Sequence, residues 1–275
     1  LNQETWEWSP ATGKWTNRTS AGAKPDARLG AAFAYDSDRK KLVLFGGRAG
    51  SGYNFEDTWE WDPATGVWTS LTNAGAHPAA RSQHAMVYEK STKKVLLFGG
   101  GRSDASSFDG TGISIALGDT WEWDPANNAW TVRTATPSPS PRHDLGLVWD
   151  SVRNRAVLFG GMEMDIAGAS GAPKQDTWDW DPETAAWTER TLPGFMPSPR
   201  HGHATGFDGA NGRVVVFGGS DIATGAALND LWIWDPSSGV WKQVWGGSEP
   251  GLPGPRMSAA MVSGGARLRL VCGAI

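Results

Sequence analysis

Apolar residues along this chain fall in runs of four or five, each bounded by turn-forming residues, and no window shows convincing helical spacing. In the second full unit, His84-Ala85-Met86-Val87-Tyr88 reads as a first strand. A charged turn through Lys90 and Thr92 leads to a second strand, Val95 to Phe98, which ends in a glycine pair. A variable loop precedes the third strand, Thr120 to Trp123. Asp124-Pro125-Ala126-Asn127 then predicts a tight turn, with Asp suited to cap it and Pro supplying its fixed φ. The fourth strand carries Trp130.

The same four-strand pattern repeats. Trp-X-Trp occurs at Trp6, Trp59, Trp121, Trp178 and Trp232, and a further Trp follows seven residues after the second in every copy. Those copies hold 15 of the 17 Trp, so repetition accounts for the excess. Phe-Gly-Gly closes a strand at Phe45, Phe98, Phe159 and Phe217, with Cys272-Gly273-Ala274 as a degraded fifth copy. An Arg opens each unit, at Arg28, Arg81, Arg142, Arg200 and Arg256. All three markers recur every 53 to 62 residues. Four short strands per period of about 50 residues, with glycine pairs and aromatics at fixed offsets, are the signature of a propeller blade. Arg-X-X-His before strand one (Arg81 to His84, Arg200 to His203), the Gly-Gly after strand two and the Asp-Pro and Trp around strand four resemble the kelch repeat. The resemblance covers essentially the whole chain and implies a β-propeller.

The expectation is one all-β domain over residues 1–275: a five-bladed kelch-type propeller with four antiparallel strands per blade. The chain opens on strands three and four (Thr5 to Trp15) and closes on strands one and two (Ala259 to Cys272). Joining those halves makes a fifth blade and leaves no strand edge open. Small residues, among them Gly30, Ala31, Gly146, Gly202, Ala204 and Ala259, fall where strand one lines the axis.

Composition narrows the function classes. A net charge of −4 argues against nucleic acid or an anionic membrane as partner. A single Cys excludes an internal disulfide framework or a Cys-rich zinc site. No apolar run approaches the roughly 18 residues of a membrane span. Leu1 reads as a processed or trimmed start, and a chain rich in Thr, Gly and Trp with few Lys leans towards a secreted or cell-surface protein. A monomer is expected.

Antiparallel parity puts the loops between strands two and three on one face, together with the loops that enter strand one. These are the variable loops, and binding on repeat scaffolds resides in such loops. The candidate ligand-binding residues are Tyr53, Phe55, Asp104, Phe108, Arg142, His143, Asp144, Glu163, Asp165, Arg200 and His201. Each third strand is preceded by an acid (Glu4, Asp57, Asp119, Asp176, Asp230), so the five Arg most simply make one ion pair per blade. His84 and His203 read as structural; His143 and His201, near Asp144, Glu163 and Asp165, are the candidates for a metal.

The residues fit known catalytic kelch-type sites poorly. A galactose-oxidase-like copper site needs Tyr and His ligands with a Cys–Tyr crosslink, and the chain has only Tyr35, Tyr53 and Tyr88. The Glu-X3-Asp-X3-His iron pattern of plant specifier proteins is absent around Glu163. Glu163, Arg142 and His143 are the acid–base groups a mutarotase-like site would use. The expectation is therefore a binding module without cofactor or chemistry of its own, recognising a protein segment or a glycan through the variable-loop face. The alternatives are an isomerase, lyase or metal-dependent enzyme in the same funnel, or a structural cell-surface component.

Overall fold

A computed structural model describes residues 1–102, 115–164, 171–221, 224–247, 251, 253–264 and 267–271. All regular structure among them is strand. An amino-terminal hairpin, β1 (Trp6–Ser9) and β2 (Lys14–Asn17), comes first. The first full sheet is β3 (Ala32–Asp36), β4 (Lys41–Phe45), β5 (Thr58–Asp62) and β6 (Val67–Ser70). The second runs β7 (Ala85–Glu89), β8 (Lys94–Phe98), then a short loop stalk of β9 (Gly101–Arg102) and β10 (Ile115–Ala116), then β11 (Thr120–Asp124) and β12 (Ala129–Arg133). The third repeats this with β13 (Gly146–Asp150), β14 (Arg155–Phe159), the stalk β15 (Met162–Glu163) and β16 (Ala172–Pro173), β17 (Thr177–Asp181) and β18 (Ala186–Glu189). The fourth holds β19 (Ala204–Asp208), β20 (Arg213–Ser220), β21 (Ala227–Asp235) and β22 (Val240–Trp245). A closing hairpin is formed by β23 (Ala260–Gly264) and β24 (Arg267–Val271).

Each full sheet is an antiparallel meander in which neighbours in sequence are neighbours in space, the two stalks aside. The core lies between sheets. Val43 and Phe45 pack with Met86, Val95, Leu97, Trp123 and Trp130 of the next repeat, and Leu96 and Phe98 pack with Leu158, Trp180 and Trp187 in the same way. Burying one Trp is worth about 5 kcal/mol from roughly 200 Å² of surface, so the repeated indoles dominate the cohesion of the stack. Their N–H groups also cross it. Trp68, Trp130, Trp187 and Trp241 each donate to the hydroxyl of the Thr opening the third strand of the preceding repeat: Thr5, Thr58, Thr120 and Thr177, at 2.9–3.2 Å.

The glycine pairs are explained by the same junction. Gly46, Gly99, Gly160 and Gly218 have φ between 62° and 70°, and a Cβ on any of them would lie 2.5–2.9 Å from the carbonyl oxygen of the next repeat's opening Arg. The N–H of the second glycine donates to that same carbonyl (Gly47 to Arg81, Gly100 to Arg142, Gly161 to Arg200, Gly219 to Arg256). Only glycine gives both the left-handed turn and the close backbone approach.

A further chain of bonds runs around the inner end. The N–H of Gln83 donates to Gly30 O, Asp144 to Gln83 O, Gly202 to Asp144 O and Ser258 to Gly202 O, at 2.7–3.0 Å. All five residues are left-handed, with φ between 51° and 64°. The small residues expected at the axis sit beside this girdle: a side chain on Gly146 would collide with His203 and Thr205.

The fifth blade is seen only as its two halves. The two terminal hairpins remain separate two-stranded sheets, and among the described residues no ladder joins β24 to β1. Both hairpins are nonetheless docked: Thr5 takes the Trp68 bond, Arg256 O takes the Gly219 bond, and the Arg269 guanidinium lies 5.4 Å from the Trp8 ring centre. The link lacking between them is electrostatic as well. The Glu4 carboxylate accepts the Trp6 indole N–H at 2.9 Å, and no Glu4–Arg256 pair forms among the described residues. The degraded Gly-Gly copy at Cys272-Gly273-Ala274, which would supply the closing turn, lies outside the described residues. Trp6, Trp8 and Trp15 are exposed where their counterparts Trp121, Trp123 and Trp130 are half-buried or buried.

Candidate functional site

The variable-loop face is organised by one motif, Arg-X-(left-handed residue). The residue after each Arg pairs with the residue after each glycine pair: Leu29 with Arg48, Ser82 with Gly101, His143 with Met162, His201 with Ser220. This places the roots of the variable loops directly outside the girdle, as parity predicts.

The Arg residues themselves are structural. Arg142 donates its Nε–H to Ser140 O, its two Nη1–H groups to Gly160 O and Asp176 Oδ1, and its Nη2–H groups to Ser140 Oγ and Asp176 Oδ2. Arg200 repeats the pattern on Ser198, Gly218 and Asp230. All five donors of both guanidinium groups are used, and both side chains are 1 % exposed. They therefore have no donor to offer a ligand, and their place among the binding candidates gives way to the ion-pair reading. Arg28 and Arg81 form the same fork with Asp57 and Asp119. Each acid also accepts the indole N–H of the Trp two residues on (Trp59, Trp121, Trp178, Trp232). Burial pushes the carboxyls of Asp119, Asp176 and Asp230 upward, but the Arg fork and the indole outweigh it and hold them below the usual range.

Inside the girdle lies an axial pocket of about 440 Å³. Its lining comes from the entry to strand one in every repeat: Leu29 to Ala31, Gln83 and His84, Asp144 and Leu145, Gly202 and His203, and Ser258 to Ala260. The third position after each opening Arg is apolar in three repeats (Ala31, Leu145, Ala259) and His in two. His84 and His203 fit that setting as neutral rings. Burial lowers both to about 3, with Arg81 and Arg200 adding to the effect, and each meets a strand-two Phe edge to face (Phe45 and Phe159).

Asp144 is the one carboxylate among the described residues of the lining, which hold no Lys or Arg. Its Oδ2 lies 3.1 Å from His143 Nδ1 and 3.9 Å from His201 Nδ1, so of the candidates grouped with the two His it is Asp144 that stands beside both. Burial lowers the pKa of His201, against the pull of Asp144 and with a smaller push from His143. His143 is buried, and its Nε2 has no partner. Among the described residues no group of three His, Cys or acidic side chains is arranged to hold a metal ion.

The remaining candidates divide. Tyr53 is exposed and stands edge-on to Phe55, with ring centres 5.5 Å apart. Phe55 is half-buried beneath the Arg28 guanidinium at 3.9 Å, so it steadies an ion pair as well as facing the loop. Glu163, on β15, is held by Lys174 at 2.5 Å and belongs to a loop stalk. Asp104, Phe108 and Asp165 lie outside the described residues. Gln83 and Ser258 were missed. The available signal was their alignment, two residues after Arg, with Gly30 and Gly202: a recurrent glycine marks a backbone position that turns left-handed.

Comparison with known proteins agrees with this architecture. The family model for the KLHDC2/KLHL20/DRC7 Kelch-repeats domain matches residues 1–205 and 150–274. The chain is 26 % identical over 216 residues to the mouse Rab9 effector protein with kelch motifs, covering 76 % of this chain and 52 % of that protein. The human counterpart is 28 % identical over 222 residues, with 76 % and 53 % covered. Rat host cell factor 1 is 28 % identical over 225 residues, 77 % of this chain and 10 % of that protein. The chain thus spans about half the length of the Rab9 effectors that it matches. With repeated Arg–Asp forks, glycine pairs and paired Trp on four-stranded antiparallel sheets, it belongs to the kelch-repeat family.

Proposed function

We propose that this chain is a protein-interaction module, in which five repeats surround one axis and the variable-loop face grips an extended segment of a partner over the axial pocket. One observation carries the reading: the pocket is built from the same position of all five repeats, while the Arg and acid groups of four of them are already paired. What is left to recognise a partner is unrepeated. It comprises Gln83, Asp144 and Ser258 at the mouth, with exposed Tyr53 on a surrounding loop. An aromatic ring with scattered polar groups suits a peptide, whose backbone offers both donors and acceptors. Relatives named as an effector and a host cell factor are in keeping with it.

The test is a display library of random twelve-residue peptides panned against the immobilised protein, beside a glycan array. Enriched peptides whose binding falls at least tenfold in Tyr53→Ala or Gln83→Ala, at unchanged melting temperature, are the expected result. Glycan binding with no peptide enrichment would replace the partner class.

A further inference from the structure

We propose that the axial pocket takes the basic side chain of a partner segment, an Arg or Lys, against the carboxylate of Asp144. The inference rests on the interaction reading above and goes further by naming the chemistry of the anchoring residue.

Three features of the lining point the same way. Among the described residues of the lining Asp144 is the only carboxylate and no Lys or Arg is present, while burial lowers His84 and His203 to about 3, so the lining carries a negative end. The nearby guanidinium groups of Arg81 and Arg200 are matched by Asp119 and Asp230 and cancel nothing at the mouth. The carboxylate is also fixed. Its backbone is held on both sides by the girdle, N–H to Gln83 O and C=O from Gly202 N–H, while His143 Nδ1 donates to Oδ2 at 3.1 Å. The imidazole N–H orients the acid, and burial lowers the pKa of the flanking His201.

The surroundings complete a site for a long cationic side chain. Gln83 and Ser258 are a neutral amide and a hydroxyl on the same girdle, able to accept N–H donors that a single carboxylate cannot serve. Leu29, Leu145, Ala259 and Ala260 offer apolar wall to a methylene stem. About 440 Å³ is ample for one such side chain. An acidic side chain would face Asp144, and an aromatic anchor would leave that charge covered and unpaired, which is costly.

Asp144→Asn is the decisive variant. Asn tolerates left-handed backbone, and neutral Gln83 and Ser258 occupy the same place in other repeats, so the fold should be kept. Peptides enriched from the random twelve-residue library are sequenced, synthesised and titrated by fluorescence polarisation. Enrichment of Arg or Lys at one position is expected. Replacing that residue by norleucine, or Asp144 by Asn, should weaken binding at least tenfold, and Gln83→Glu should strengthen it. Enriched peptides without a basic position, or basic peptides indifferent to Asp144→Asn at unchanged melting temperature, would overturn this proposal and leave the interaction reading standing. No enrichment of any peptide by the unmodified protein would overturn both.

Discussion

Arg142 shows how one side chain can serve as a rivet. It ties the loop entering strand one to a glycine-pair carbonyl and to the acid before strand three, using every donor it has. Arg142→Ala should lower stability by about 3–5 kcal/mol, because it strands the largely buried Asp176 carboxylate. Arg142→Lys should recover little, since an ammonium cannot reproduce the planar fork. Urea unfolding measures both. Buried titratable groups set the pH response. His84 and His203 sit at about 3 in the fold against an ordinary 6.5. Below pH 6.5 the unfolded chain gains protons that the fold refuses, so their contribution is present above 6.5 and is lost as pH falls towards 3. Glu89 works in the opposite sense. Burial and the neighbouring Glu122 raise it to about 7, so its stabilising contribution is present below about 4.5 and lost as pH rises through 7. Leu145 occupies the His position in the third repeat, so His84→Leu should fold and show a smaller loss of melting temperature between pH 7 and pH 5 than the unmodified protein. Glu89→Gln should flatten the fall between pH 5 and pH 8.

At the scale of strands and turns, chemistry repeated in the sequence translated most directly into structure. The run Val95 to Phe98, the tight turn capped by Asp124 and the pair Trp123 and Trp130 all lie where spacing places them, because each is fixed by local turn geometry and by a face that must be buried. The Arg–acid pairing was legible for the same reason, being written five times over in the sequence, and four of those pairs form. The girdle was not, because its five positions carry Gly, Gln, Asp, Gly and Ser, and their likeness is one of backbone conformation. For that reason Asp144 read as a ligand-binding candidate near His143 and His201 and not as the charged member of a girdle. Two glycines separate backbone conformation from packing. Gly66 ends a strand-three turn at φ 71° with nothing closer than 3.9 Å to a Cβ, and Ala185 fills its place in the third repeat. Gly99 has a similar φ of 70° but a Cβ there would stand 2.5 Å from Arg142 O. Gly66→Ala should therefore cost about 1 kcal/mol, the left-handed penalty alone, and Gly99→Ala well over 2 kcal/mol, as the repeat interface must shift. Comparable urea midpoints for the two would refute the packing account.

Across the whole molecule, stability is distributed unevenly around the ring. The three junctions between full sheets, at Trp130, Trp187 and Trp241, each carry an indole–hydroxyl bond, a buried Trp and a Gly-Gly contact. The seam between the two terminal hairpins carries a cation over an indole and little else that the described residues show. Its aromatic residues are correspondingly open: Trp6 is 48 % and Trp15 59 % exposed. In a repeat architecture stability is a sum of unit and nearest-neighbour terms, so a weak junction should open before the rest. Amide hydrogens of β1, β2, β23 and β24 are therefore expected to exchange through a local opening well below the global unfolding free energy, while β8, β14 and β20 exchange near it. Substitutions should follow the same gradient. Arg256→Ala, at an Arg whose fork to Glu4 is not made, should cost less than about 1 kcal/mol, against several for Arg142→Ala. Trp15→Ala should likewise cost far less than Trp187→Ala, where 2 % exposure means that the whole indole surface is recovered on folding. Equal protection on both sides of the seam, together with an Arg256→Ala penalty matching that of Arg142→Ala, would show the hairpins joined in solution as one full blade with its fifth ion pair in place.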